Sequence, residues 1–198
     1  MPGRILQNAA FRVSQVFNPL MIVTVVFLRI LYDQSQPRNA SLSWLAVFCV
    51  FGILLPMGPV ITLYYTGAVK CLFVPERKKR IALLLVTLAS CCVGLVVLVG
   101  MDAARPVIAV MACYSMQVFL MVVLSHRIKV SLHAAGGWGG WVMMFITDGL
   151  TALSMIPVPI LVSWSRVVVR AHTPRQVLLG GCVGGGVTAM VFYYLTTY

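Results

Sequence analysis

Carboxylate is the scarcest chemistry in this sequence. Only four acids, Asp33, Glu76, Asp102 and Asp148, stand against fifteen Lys and Arg, for a formal net charge of +11 over 198 residues. Charged residues together make up 10% of the chain, where a soluble domain carries about 25%. That shortage excludes an ordinary soluble domain. Metal-ligand spacing is missing too. The six cysteines, Cys49, Cys71, Cys91, Cys92, Cys113 and Cys182, lie mostly in apolar runs and read as small buried hydrophobes. Neither a metal ion nor another cofactor is expected. No small-residue cleavage site follows the apolar stretch 17–31, so no cleavable signal is expected. No internal repeat and no room for a soluble domain is visible, which predicts one integral membrane domain over residues 1–198.

Apolar residues fill the space that charge leaves. They make up 61% of the chain, and mean hydropathy is +0.98. They come in runs that reach the roughly 17–25 residues needed to cross a bilayer. Backbone groups in lipid must be satisfied within the chain, so the runs are predicted helices. The fold class is then all-α, a polytopic membrane bundle of six or seven spans. After a basic lead with Arg4 and Arg12, which suits an interfacial helix, the segments are 18–32, 44–68, 81–100, 107–124, 131–147, 150–164 and 177–195. The sixth continues helically to about residue 169. Asn18-Pro19 opens the first, with Pro placed for a first helical turn. A polar loop over 34–43 precedes the second. Pro56 and Pro59 should bend that segment, leaving carbonyls for neighbouring groups to satisfy. Glycines at 136, 137, 139 and 140, and again at 180, 181, 184, 185 and 186, permit close helix approach.

If all seven segments cross, parity sorts the junctions. One side carries Arg4, Arg12, Lys70, Arg77, Lys78, Lys79, Arg80, Arg127, Lys129, Arg166, Arg170 and Arg175, with all three histidines, His126, His133 and His172. The other side carries Arg29, Arg38 and Arg105. Basic loops face the cytoplasm. Setting aside four residues of the first side as ligand-binding (Lys70, Arg77, Lys129 and Arg166) still leaves eight cations against three. A multi-pass protein of the bacterial inner membrane follows, its histidine-bearing side leaning cytoplasmic. Anionic lipid headgroups are the natural partners of this charge. Nucleic acid is not, because a span flanks every basic patch. His126 reads as incidental, Lys78 and Lys79 as topology signals, and Arg170 and Arg175 as interfacial anchors. Trp138, Trp141 and Trp164 read as packing or interface residues.

Three of these junctions carry chemistry: 70–80, 127–133 and 165–176. Arginine presents a fork that matches two phosphate oxygens at once. Histidine, with an ordinary pKa near 6.5, serves as nucleophile toward phosphorus or as acid toward a leaving oxygen. Cations and histidines on one side of a membrane therefore suit phosphoryl transfer without a metal.

The order of residues in these junctions resembles the type 2 phosphatidic acid phosphatase (PAP2) superfamily of membrane lipid phosphatases, as a divergent member. The similarity covers residues 70–195. Ser165-Arg166, five residues and His172 match the family's third motif, and Gln176 stands where that motif has Asp. Ser131 and His133 match two positions of the second motif, with Val130 for Pro and Leu132 for Gly. Lys70 and Arg77 match the spacing of the first, with Lys78 for Pro and Arg80 as a rival arginine. The resemblance implies that His172 attacks phosphorus to give a phosphohistidine and that His133 protonates the leaving oxygen. Gln176 would take the aspartate's orienting place without its charge. Lys70, Arg77 or Arg80, Ser131 and Arg166 would hold the phosphoryl group, with Lys129 as a further donor. The expected activity is metal-independent hydrolysis of a lipid phosphomonoester or a prenyl diphosphate, with the tail between helices. Gln176 and Leu132 favour the alternative, a lipid-phosphate binding or transport protein on the same scaffold.

Overall fold

The computed structural model describes residues 2–34, 38–67 and 76–197, without the side chains of residues 2, 3 and 77. All regular structure among these residues is helical: α1 (Pro2–Val16), α2 (Pro19–Asp33), α3 (Arg38–Val47), a π-helical stretch (Phe48–Leu54), α4 (Leu55–Tyr65), α5 (Arg77–Gly100), α6 (Arg105–Ser125), α7 (Leu132–Asp148), a 3-10 stretch (Gly149–Met155), α8 (Pro157–Val168) and α9 (Pro174–Thr197). Among the described residues four helices are long and apolar enough to cross a membrane: Arg38–Tyr65, Lys78–Gly100, Arg105–Ser125 and Pro174–Thr197. The number rises to six if each of two broken helix pairs forms one span. These helices make a multi-pass membrane protein by length and composition. The seventh span expected from the hydropathy runs is not found among the described residues. The reason is length. α7 has 17 residues and α8 has 12, about 25 Å and about 18 Å of helix against a hydrocarbon core of about 30 Å. Residues 38–43, expected as loop, open α3 instead.

The chain divides into two compact units, residues 1–30 with 128–198, and residues 31–127. The first unit is built on α7. Asn18 caps α2: its Oδ1 accepts from the Met21 N–H at 3.0 Å, and Pro19 takes the first turn. Gly136 then lies against Pro19, and Gly140 against Ile22 and Val26, so α2 runs alongside α7. α9 takes another face. A Cβ at Gly180 would meet the carbonyl of Ser131, and one at Gly184 would meet the backbone of Ala135. Backbones pack this closely only where side chains are absent, and the stripe continues to the fully buried Thr188.

α8 doubles back along α7. Gly149, at φ +63°, turns the chain in a conformation that costs glycine little. Trp141 Nε1 then donates to Ala152 O at 2.9 Å, Trp138 Nε1 donates to Ser163 Oγ at 3.2 Å, and Gly137 faces Pro159 and Val162. The two tryptophans thus pin a helical hairpin. Its two open ends, Ser131–His133 and Ser165–Arg166, lie at the same end of the unit. Arg29 and Asp148 close the turn end with an ion pair at 2.7 Å.

In the second unit, the π-helical stretch has a definite cause. The Leu55 N–H donates to Val50 O, five residues back. Pro56 has no N–H to give the next carbonyl, Phe51 O. Ser90 Oγ of α5 donates to that carbonyl instead, at 2.7 Å. The freed acceptor is satisfied across the helix pair, as the prolines in this run required. Ser90→Ala should therefore cost about 1–2 kcal/mol, read as a lower melting temperature in detergent, whereas Ser90→Thr, which keeps the hydroxyl, should lose less.

Candidate phosphate site

The end of α8 explains the spacing between Arg166 and His172. The helix closes with a left-handed residue, Arg170, at φ +55°. The Arg170 N–H donates to Val167 O at 2.9 Å, and the Ala171 N–H to Arg166 O at 3.1 Å. This is the glycine-type C-terminal cap with an arginine in glycine's usual place. One further bond, from the His172 N–H to the same Arg166 carbonyl at 3.2 Å, folds the loop back on the helix. Five intervening residues are what that turn consumes.

α9 starts with Thr173-Pro174-Arg175-Gln176. The Thr173 N–H donates to Gln176 Oε1 at 3.2 Å, and the Gln176 N–H to Thr173 Oγ1 at 3.4 Å. This is a reciprocal capping box with Pro in the first turn. Gln176, where aspartate was expected, thus stiffens the segment beside His172. Its backbone carbonyl accepts from the Ser131 N–H at 3.3 Å, which ties α9 to the start of α7.

Ser131 is fully buried and caps α7, its Oγ accepting from the Ala134 N–H at 3.3 Å. That hydroxyl, a phosphate ligand in the sequence reading, already serves the helix. His133, 5% exposed, stands in the first turn, two residues past the cap. It donates a hydrogen bond to the backbone of Ser14 at the end of α1 and lies within range of the charges of Arg166 and His172. α1 therefore contributes to the site, a role the basic lead did not suggest. The contact is made by backbone, so no residue type in α1 encodes it.

Arg166 is 6% exposed. Its charge acts on His172, and so does that of Lys129. Burial first, then Arg166 and Lys129, push the His172 pKa down to about 4, against weaker opposing contributions from Gln176 and the Lys129 backbone. The imidazole is neutral at pH 7, as a nucleophile must be. His126 and Arg127 are exposed and outside this group. Lys70 lies outside the described residues. Arg77 and Arg80 open α5 in the second unit. His172, His133, Arg166, Lys129, Ser131 and Gln176 all belong to the first unit.

The first unit holds one acid, Asp148, and it is paired with Arg29 at the opposite end. The site end thus gathers a buried guanidinium, a lysine and two imidazoles with no carboxylate of its own unit. Among the described residues no three His, Cys, Asp or Glu side chains are grouped to hold a metal. The arrangement fits an anion: cationic donors to hold it, a neutral imidazole and a second imidazole beside it. Comparison with family models, curated proteins and solved structures gave no match to this chain.

The depressed His172 pKa sets a pH dependence. Above about 6.5 the ring is neutral in both folded and unfolded chain and contributes no slope. As pH falls from there to about 4, the unfolded chain takes up a proton that the folded one refuses, and stability is lost across that window. Thermal melts in detergent should show this loss, and His172→Asn should reduce the slope between pH 6.5 and 4. An unchanged slope would mean that His172 titrates normally.

Proposed function

We propose that the protein is a membrane phosphatase that hydrolyses a lipid phosphomonoester or a prenyl diphosphate through a phosphohistidine on His172. The observation that carries this reading is the meeting of Arg166, His172 and His133 at one end of one unit. Arg166 and Lys129 hold the non-bridging oxygens and hold back the approach of water-borne cations. His172, kept in place by its backbone bond to Arg166 O and by Gln176, attacks phosphorus. His133, steered by the Ser14 backbone, takes up the proton that a monoanionic phosphate ester brings with it and passes that proton to the leaving lipid oxygen. It then takes a proton from the water that cleaves the phosphohistidine, which restores both imidazoles and releases phosphate. The tail lies among the apolar helices. Together with the motif order, this supports kinship with the type 2 phosphatidic acid phosphatases.

A second reading, lipid-phosphate binding or transport without turnover, draws on one observation. Gln176, which is engaged with Thr173 in the helix cap, brings no negative charge beside His172, and this leaves the nucleophile less basic. Turnover separates the two. The purified protein, given phosphatidate, phosphatidylglycerophosphate and prenyl diphosphates in detergent without added metal, should release phosphate. His172→Ala should lower that release at least a thousandfold, and Gln176→Asp should raise it severalfold. Binding of the same lipids with no release would select the second reading. Full activity in His172→Ala would exclude the phosphohistidine route.

A further inference from the structure

The first unit begins with a helix that the protein covers on one side only. α1 packs against α8, and Ala10 and Ser14, one turn apart, are fully buried. Every residue from Arg4 to Ala9 is exposed. The exposed surface is divided by the helical period. Ile5, 72% exposed, Leu6, Ala9 and Val16 fall on one side. Arg4, Asn8, Arg12 and Gln15 fall on the neighbouring side, with Phe11 at their edge. α1 contains no acid, and neither arginine has an ion pair or a hydrogen bond among the described residues.

A helix of this kind does not belong in hydrocarbon. Two arginines, two glutamines and an asparagine fall within residues 4–16, and an arginine is costly at the centre of a bilayer. α1 also departs from the line of α2 by 42°, at the break that the Asn18 cap and Pro19 make. The apolar run lies in α2, and α1 leaves its axis where that run ends. At the same point α1 meets the phosphate site, because His133 hydrogen-bonds the Ser14 backbone in the last turn.

We propose that α1 lies flat in the surface of an anionic leaflet and that this seating fixes Ser14 against His133. The apolar side enters the acyl boundary, and Arg4 and Arg12 meet lipid phosphates. Charge complementarity selects this occupant: the exposed cations have no acid of their own helix to answer them. Proximity agrees with it, since two residues separate α1 from the apolar α2. The charge of the bilayer then governs how firmly the site is assembled. The consequence for turnover rests on the phosphatase reading; the seating of α1 does not.

Hydrogen exchange of the full-length protein tests this, in nanodiscs of dioleoyl phosphatidylcholine with and without about one-third dioleoyl phosphatidylglycerol. Phosphatidylglycerol should slow exchange over residues 4–16 at least about fivefold, the gain that one arginine near an anionic surface gives. The protection should reach residues 131–136, through Ser14 and His133. Arg4→Gln with Arg12→Gln should remove both effects and leave phosphate release in pure phosphatidylcholine unchanged. Phosphate release from a trace of phosphatidate should rise severalfold with phosphatidylglycerol in the wild type and not in the double variant. Equal exchange of residues 4–16 in the two bilayers overturns the seating. Equal protection in detergent overturns it too, since a second copy or the protein itself would then cover α1. Protection of α1 that leaves 131–136 unmoved overturns the link to His133. Absence of phosphate release under every condition would refute the phosphatase reading, and the two exchange readouts would still decide this one.

Discussion

A buried cation beside two histidines is the constraint around which the first unit is organised. Arg166 is nearly inaccessible at the end of α8. Its unit contains one carboxylate, and Arg29 holds it at the far end. Backbone geometry fixes what surrounds Arg166: the left-handed cap at Arg170 brings His172 under the Arg166 carbonyl, and the hairpin brings His133 alongside. The resulting pocket end is positive by construction. Burial first, and then that positive charge, hold the His172 pKa down.

Glycine makes this possible at the level of packing. The contact of α7 with α9 relies on Gly180 and Gly184, where any side chain would meet backbone. That approach sets the start of α9 against the start of α7, so Gln176 O reaches Ser131 N. The N-termini of two helices are thereby held side by side, each capped internally, with His133 and His172 near those starts. Loop ends at a membrane surface are usually mobile. Here they are tied to each other by backbone bonds, so the groups that would meet a phosphate are positioned before it arrives.

Much of this was legible in the residues. The apolar runs located the helices to within a few positions. Parity grouped the junctions at 131–133 and 165–172 by counting seven spans, where the helices give four to six; the return of α8 along α7 is what brings them together. Two things were not legible. Hydropathy counts α7 and α8 as two spans because it registers apolar length and not direction, and the turn at Gly149 is only one residue of left-handed backbone. The Ser14 contact with His133 is made by main chain, to which side-chain patterns are blind. Gln176 was legible in a different sense. Read against a motif it is a missing aspartate. Read as Thr-Pro-Arg-Gln it is a capping box, a signal that was present in the sequence all along. The first-motif residues, Lys70, Arg77 and Arg80, precede or open a helix of the other unit, and no spacing rule connects them to the site built here.

The central claim is that Arg166, His172 and His133 share one oxyanion. Titrating the purified protein with tungstate, a phosphate mimic, by calorimetry tests it most directly. The account predicts binding of one tungstate per chain at this site, abolished by Arg166→Gln and strongly weakened by both His172→Asn and His133→Asn. Tungstate binding that survives Arg166→Gln undiminished, or responds to only one of the two histidines, would contradict it.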